Sequence, residues 1–493
     1  MSAAAISLRP YQLNAVEQLR ASYRAGNRAP LFQLATGGGK TYVFCYVANG
    51  AAALGNRSLI LVHRKELLTQ ASMSLAKIGL RHSIVAPDKA IRECMSNHVE
   101  ELSRPFVDMN APVGVASVDT LINRLGSIRS PFLIIPDESH HAVPGNKWGK
   151  VISAFPDARI LGVTATPTRS DGRGLGKSAG GFFDDMICGP QMRELIGLGA
   201  LLQPTVFAPP MVANLQGVSK QAGDYAVGEL AERMDKPSIT GDAVKHYARI
   251  CPGVPAIAFC VSVAHAQHVA EQFKAAGFDF RYIDGKMDGN ERRMLIRSLA
   301  RGKIHGLTSC DLISEGTDIP VVGCGILLRP TMSLVVYLQQ VGRILRPSPG
   351  QDRAFILDHV GNCMIHGLPE ADREWTLEGR KKKTKKAGDA EPVLALTSCP
   401  KCYAAHAPAP SCPQCGHVYE NRGRQIEEQD GELQEVTGAL AAELRKVRRQ
   451  EEGRASTYDD FVKLGRERGY NNPEGWARIR VKARRQRDQS LSF

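Results

Sequence analysis

No run among the 493 residues approaches the ~18 consecutive apolar positions that a membrane helix needs. The opening MSAAAISLRPYQ has neither the basic start nor the long apolar core of an export signal. A membrane span and secretion are therefore not expected, and a cytoplasmic setting is. A disulfide framework is also missing. Of 12 cysteines, four crowd between Cys399 and Cys415 and the rest stand singly, unlike the laced pattern of a small secreted domain. Compositional bias is absent as well: 43% hydrophobic and 23% charged residues exclude a disordered or fibrous chain. The length exceeds one ordinary core and predicts about three domains.

Positive charge is what the chain has in excess. A formal net charge of +13 gathers polyanions and speeds their encounter, so nucleic acid is the first partner to consider, with solubility alone as the plainer alternative. Short apolar runs alternate with helix-like stretches: SLILV (58–62), FLII (132–135) and RILGV (159–163), then PTVFA (204–208), AIAFCV (256–261), DFRYI (279–283), HGLTS (305–309) and CGILL (324–328). That alternation predicts two α/β lobes with parallel sheets, residues 1–200 and 201–360. SDGRGLGKSAGG (170–181) reads as a mobile loop rather than a dinucleotide fingerprint. Residues 361–395, with GRKKKTKKAGDAEP, read as a charged linker.

LFQLATGGGKTYVF carries the strongest chemical signal. An apolar run leads into Thr36, Gly37, Gly38, Gly39, Lys40 and Thr41, then a helix-compatible stretch. Successive glycines let backbone N–H groups converge on phosphate oxygens, Lys40 reaches the outer phosphates, and Thr41 can ligate Mg²⁺. FLIIPDESHH supplies the carboxylates. There Asp137 would hold the Mg²⁺ shell and Glu138 would orient and deprotonate the attacking water. In YLQQVGRILRP, Arg343 and Arg346 are three apart, so on a helix both can point at a γ-phosphate from the second lobe.

With RPYQ, TATPTR and SEGTDIP added, the motif set over residues 8–360 resembles the superfamily 2 helicases of the DEAD/DEAH-box class, most like the bacterial and phage branch that includes RadD and Ssl2-related proteins. The resemblance implies two tandem RecA-like lobes and an ATP-driven motor on nucleic acid, DNA before RNA. RNA remodelling and a non-catalytic nucleic-acid clamp are the alternatives. By position it implies adenine reading by Gln12 with Arg9 and Tyr11. Coupling falls to His140, Thr164, Ala165 and Thr166. Gly316, Asp318 and Gln339 would face the nucleotide from the second lobe. Contacts to nucleic acid would fall at His63, Arg64, Ser117, Thr120, Val261 and Ser262. Two departures stand out: Pro136 precedes the Asp-Glu pair where a β-former is usual, and Asp119 puts negative charge beside a presumed phosphate path.

Cys399, Cys402, Cys412 and Cys415 form two C-x-x-C pairs whose four thiolates can close a tetrahedron around Zn²⁺. With that set complete, His406 and His417 read as exposed bystanders. The ribbon (396–420) and the acidic-then-basic helical region (421–493) are candidate contacts for DNA or a protein partner. In the tail Tyr458, Phe461, Tyr470 and Trp476 can stack on bases or form a small core, and the core is favoured.

Overall fold

The computed structural model describes residues 7–169, 173–208, 220–221, 224–225, 237–310, 322–348, 350–379, 396–419, 455, 457–467, 473–478 and 480–481. The chain divides into two units, Met1–Tyr419 and Glu420–Phe493.

In the first unit the short apolar runs become buried parallel strands. Lobe 1 contains α1 (Pro10–Arg24), β1 (Pro30–Gln33), α2 (Lys40–Ala53), β2 (Ser58–Val62), α3 (Lys65–Lys77), β3 (Ser83–Val85), α4 (Asp88–Leu102), β4 (Val113–Ser117) and α5 (Val118–Leu121). It continues through β5 (Leu133–Pro136), α6 (Lys147–Ser153), β6 (Arg159–Ile160), β7 (Gly162–Thr164), β8 (Asp185–Cys188) and α7 (Met192–Gly197). The order is β3-β4-β2-β5-β6 beside β7-β1-β8, joined by a parallel bridge between Asp137 and Val163. Every residue of β2 is buried, as expected of a parallel strand covered on both faces. RILGV forms two strands rather than one. Leu161 N–H donates to Ile134 O while Ile160 N–H turns to Arg28 O, so the chain changes partners midway.

Lobe 2 contains β9 (Gln203–Phe207), a small hairpin of β10 (Lys220–Gln221) and β11 (Asp224–Tyr225), α8 (Pro237–Ile250), β12 (Ala256–Phe259), α9 (Val263–Ala275) and β13 (Phe280–Ile283). Then come α10 (Gly289–Ala300), β14 (Gly306–Ser309), β15 (Cys324–Leu327), α11 (Leu334–Ile344), β16 (Arg353–Asp358) and α12 (Asn362–His366). Its parallel sheet runs β13-β14-β12-β15-β16-β9. The two α/β lobes with a cysteine cluster agree with the expected fold class.

Three segments differ from their sequence reading. Within the glycine-rich stretch, residues 173–181 are packed: Leu175 is buried, Gly176 N–H donates to Leu377 O at 2.9 Å, and Arg173 pairs with Gly379. A side chain at Gly174 would collide with the Leu377 carbonyl, so glycine serves close backbone approach there. The first part of the expected linker, 361–379, is that partner. It leaves lobe 2 through α12 and crosses to lobe 1, where Arg373 N–H donates to Gln191 Oε1 at 3.0 Å. The cysteine ribbon, with β17 (Thr397–Ser398) and β18 (Ala405–His406), is built into lobe 2. Ala208 N–H donates to Tyr403 O at 2.8 Å, and Cys399, Ala404 and Cys412 share a core with Tyr247, Phe273 and Phe280. His406 is buried rather than exposed, its Nε2 2.6 Å from Tyr419 Oη.

The second unit, where described, has α13 (Tyr458–Glu467) and a further helical stretch at 473–478. Phe461 meets Trp476 edge-on at 5.9 Å over Ala455, Val462 and Ala477. Phe461 and Trp476 form a small core, whereas Tyr458 is exposed; Tyr470 lies outside the described residues. No helix among the described residues is long and apolar enough to cross a membrane.

Candidate active site

The glycine loop follows β1, so its backbone leaves the sheet at the C-terminal edge where parallel strands present loops to ligands. Gly37 and Gly39 adopt φ of 86° and 90°, a region open to glycine and costly for other residues. A Cβ at Gly39 would overlap Gln12 Nε2. Gln12 is buried at the start of α1, where its Nε2 donates to Gly38 O at 3.2 Å and its Oε1 accepts from Arg9 N–H at 2.9 Å. Tyr11 Oη donates to the same Gly38 carbonyl at 2.8 Å. Tyr11 and Gln12 therefore hold the loop. Lys40, the first residue of α2, donates to Leu34 O at 3.2 Å.

Asp137 continues β5 past Pro136, with its N–H donating to Leu61 O at 3.0 Å. Pro136 falls in the gap between the β6 pairing, which ends at Ile134, and the bridge to β7 at Asp137. A residue with no N–H breaks no ladder there. Glu138 then turns left-handed at φ 52°, a strained state for a non-glycine residue. Ser139 holds that turn: its hydroxyl donates to Pro136 O and accepts from Val163 N–H, both at 2.7 Å. Burial lifts the Asp137 carboxyl to about 7, with the Glu138 charge adding and Lys40 opposing. Burial lowers the Lys40 ammonium, opposed by Glu138 and Asp137 and reinforced by Arg346 and Arg343. Thus two acids and three cations converge on one point.

His140 Nδ1 lies 3.4 Å from Glu138 Oε2 and 3.2 Å from Thr164 Oγ1. The Thr164 hydroxyl in turn accepts from Thr166 N–H at 3.2 Å, and Gln33 Nε2 donates to Ala165 O at 2.9 Å. The acid turn and the TATPTR strand end are hence mechanically continuous.

From lobe 2, α11 lies against the glycine loop. A Cβ on Gly342 would sit 2.5 Å from Thr36 Cβ, and one on Gly37 would stand 3.7 Å from Arg346 Cγ. Arg343 and Arg346 thus face the phosphate cradle across the interlobe cleft. Three polar atoms on these walls, Thr36 Oγ1, Thr166 Oγ1 and Gln339 Nε2, are buried without a hydrogen-bond partner among the described residues. Such groups suit a polar ligand that would bond to them. Gly316 and Asp318 lie outside the described residues.

The six positions assigned to nucleic acid do not behave alike. His63 and Arg64 end β2, and the His63 ring lies 4.6 Å from His141. Ser117 and Thr120 flank the start of α5, where the charge of Asp119 is met by Lys147 Nζ at 2.7 Å. Val261, by contrast, is buried in the lobe 2 core, and the Ser262 hydroxyl caps α9 by accepting from His265 N–H at 3.1 Å. Those two side chains are occupied by the fold. A run of β-formers followed by serine reads alike for a contact loop and a helix cap. Sequence reasoning missed Ser139 and Gly342; the acid motif and the arginine helix contain them, but their roles depend on contacts distant along the chain.

In the ribbon, the four sulfurs lie within 4.8 Å of one another, with Cys399 and Cys415 at 3.7 Å and Cys402 and Cys412 at 3.6 Å. Zn–S bonds of ~2.3 Å give a tetrahedral edge of about 3.8 Å, so the set fits a single tetrahedral metal ion.

Residues 5–169 match the family of the type III restriction enzyme res subunit, and residues 242–348 match the helicase conserved C-terminal domain. A 51.5 kDa protein of a Lactococcus phage is 32% identical over 85% of this chain and 82% of its own length. IRC3 of Saccharomyces cerevisiae, provisionally named an ATP-dependent helicase, is 31% identical over 73% of this chain. The chain spans only 52% of that relative's length. Among solved structures, the type ISP restriction-modification enzyme LlaBIII bound to DNA superposes with a TM-score of 0.51 at 18% identity, over 72% of this chain and 28% of that one. A Vibrio vulnificus fragment, provisionally identified as a type I restriction enzyme HsdR subunit, gives a TM-score of 0.54 at 20% identity over 73% of this chain and 67% of its own. These likenesses carry the two-lobed fold, and with both motor halves matched and a glycine cradle facing an arginine helix, the chain belongs to the superfamily 2 helicases.

Proposed function

We propose that this protein hydrolyses ATP to move along DNA. The observation that carries the reading is the contact of Gly342 and Arg346, from lobe 2, with Thr36 and Gly37 of the lobe 1 cradle. One triphosphate lying there would touch both lobes, so its cleavage would change how they meet. Gln12, with Arg9 and Tyr11, reads the adenine side, and Thr36 to Gly39 wrap the phosphates. Lys40 neutralises the outer phosphates. Thr41 and Asp137 would hold Mg²⁺, which supplies charge neutralisation for phosphoryl transfer. Glu138 aligns the water, and Arg343 and Arg346, with Gln339 beside them, stabilise charge on the departing phosphoryl group. His140, Thr164 and Thr166 pass the state of Glu138 to the sheet. His63, Arg64, Ser117 and Thr120 track the strand.

The four ribbon cysteines would hold Zn²⁺, which fixes the ribbon against lobe 2. DNA is preferred to RNA because LlaBIII, a restriction-modification enzyme that shares the two-lobed fold, is described bound to DNA. The test is ATP hydrolysis with single-stranded DNA, duplex DNA or RNA, beside a Lys40→Ala variant. Stimulation by DNA above RNA, abolished in Lys40→Ala, is expected. Equal, unstimulated rates in both proteins would defeat the proposal.

A further inference from the structure

Lobe 1 has a second cavity, away from the nucleotide site. It measures about 330 Å³ and opens at the N-terminal ends of β2, β3 and β4, beside Ser58, Ser83 and Gly114. The glycine cradle and the acid turn leave the opposite ends of the sheet. With ~3.3 Å per strand residue, the five residues of β2 put about 16 Å between the two edges. No nucleotide in the cradle can therefore reach it.

Three arginines line this cavity, Arg57, Arg124 and Arg129, and no acidic residue does. Arg57 donates to Ala111 O at 3.3 Å. None of the three has an ion-pair partner among the described residues, although elsewhere in lobe 1 arginines and lysines pair readily, as Lys77 does with Glu101 and Lys147 with Asp119. Three unneutralised guanidiniums around one concavity repel one another and raise a local positive potential. An evolved surface with no use for that potential would place carboxylates among them. A second observation points the same way: Ser58 lines the cavity, is 2% exposed, and its Oγ is buried without a hydrogen-bond partner. Planar guanidinium forks with a hydroxyl donor match the oxygens of a phosphate group. Arg124 and Arg129 are exposed at the rim, and Met109, also lining it, is 61% exposed, so an extended strand can reach the guanidiniums.

We propose that this cavity binds a backbone phosphate of the nucleic acid on which the motor acts, outside the path defined by the cleft-facing motifs. The identity of the polymer rests on the proposed function; the anion chemistry does not. It gives the motor a foothold on lobe 1 that persists while the interlobe cleft opens and closes.

The experiment is a salt titration of binding to a fluorescent single strand and to its duplex, comparing the full chain with the Arg124→Gln/Arg129→Gln variant. Inorganic pyrophosphate serves as competitor. Both substitutions are at exposed positions outside the nucleotide machinery, so ATP hydrolysis without nucleic acid should be unchanged. Each lost phosphate contact removes a little under one unit of slope in log affinity against log salt. The variant is expected to bind more weakly and to lose roughly one to two units of slope, and pyrophosphate should compete less well against it. Unchanged affinity and slope on both strands would overturn the proposal, as would loss of pyrophosphate competition alone, which would assign the cavity to a free phosphate compound. If the unaltered protein bound neither polymer, the motor reading would fail instead, and calorimetric binding of pyrophosphate to the full chain and to the variant would still report on the cavity.

Discussion

Gly342 and Thr36 touch where the two lobes meet, so the smallest possible side chain tests the closeness of that meeting. In Gly342→Ala the new methyl would stand 2.5 Å from Thr36 Cβ, and overpacking of this kind costs ~1–3 kcal/mol. Stimulated ATP turnover should fall roughly 5- to 150-fold by that amount, while thermal stability changes little because the strain is relieved by parting the lobes. Steady-state kinetics beside a melting curve checks it; a stable variant with full turnover would show that closure does not need this contact. The chemistry-bearing residues of the cradle were legible in the sequence because their signal is local. Thr36 through Thr41 are consecutive, and glycine at 37 and 39 is demanded by the backbone itself. The Thr36–Gly342 approach was not, since it joins positions some three hundred residues apart and depends on the docking of two separate sheets. Val261 and Ser262 show the opposite failure: their local pattern fits strand contact, and only the packing of α9 reveals a core residue and a helix cap.

Between α3 and α4 lies a buried polar cluster that no sequence pattern announced. His82 Nδ1 lies 3.0 Å from Leu80 O, so its Nε2 accepts the Ser72 hydroxyl at 2.8 Å. His98 Nδ1 accepts from Phe106 N–H, leaving its Nε2 to donate to Ser72 at 3.1 Å. The set is satisfied only with both rings neutral. Burial pushes His82 down to about 4, opposed by its bond to Leu80 and aided by His98. Because the folded value lies below the ordinary 6.5 or so, the unfolded chain binds the proton first. Stability is therefore complete above about pH 6.5 and is lost as pH falls towards 4, by roughly 3 kcal/mol for this ring. Denaturant unfolding at stepped pH should show that loss, and a His82→Gln variant should show less of it. The ribbon supplies a second test among the elements. It was legible as a four-cysteine module, yet its attachment to β9 was not, because edge pairing such as Ala208 N–H to Tyr403 O leaves no trace in spacing. Chelating the zinc proposed for this set, or replacing Cys412 with Ser, should lower the melting temperature of the lobe 2 transition in calorimetry while ATP still binds the lobe 1 cradle. A ribbon lost without any change in that transition would contradict the docking.

Across the first unit, the lobes meet through more than the nucleotide cleft. From α10, Arg292 reaches Glu66 at 3.1 Å, Arg293 reaches Glu93 at 3.3 Å and Arg297 reaches Glu100 at 2.5 Å, all on α3 or α4. The crossing segment 367–379 ties lobe 2 back to Gln191 and Gly176 of lobe 1. The exposed Arg297–Glu100 pair is worth little by itself, whereas Arg292–Glu66 is largely shielded from solvent, with side chains 11% and 19% exposed, and parting it leaves both charges to be resolvated. Two tandem lobes could be read from the alternating apolar runs; the crossing segment could not, because its polar composition matches that of a solvated linker. In the proposed cycle one triphosphate is gripped by lobe 1 and its cleavage is completed by lobe 2. Single-turnover ATP cleavage by Arg346→Ala, with nucleic acid saturating and ATP affinity measured alongside, tests it most directly. A fall of ~10³-fold or more in the cleavage rate with ATP affinity nearly retained is expected; cleavage at the unaltered rate would show that lobe 2 does not complete the reaction.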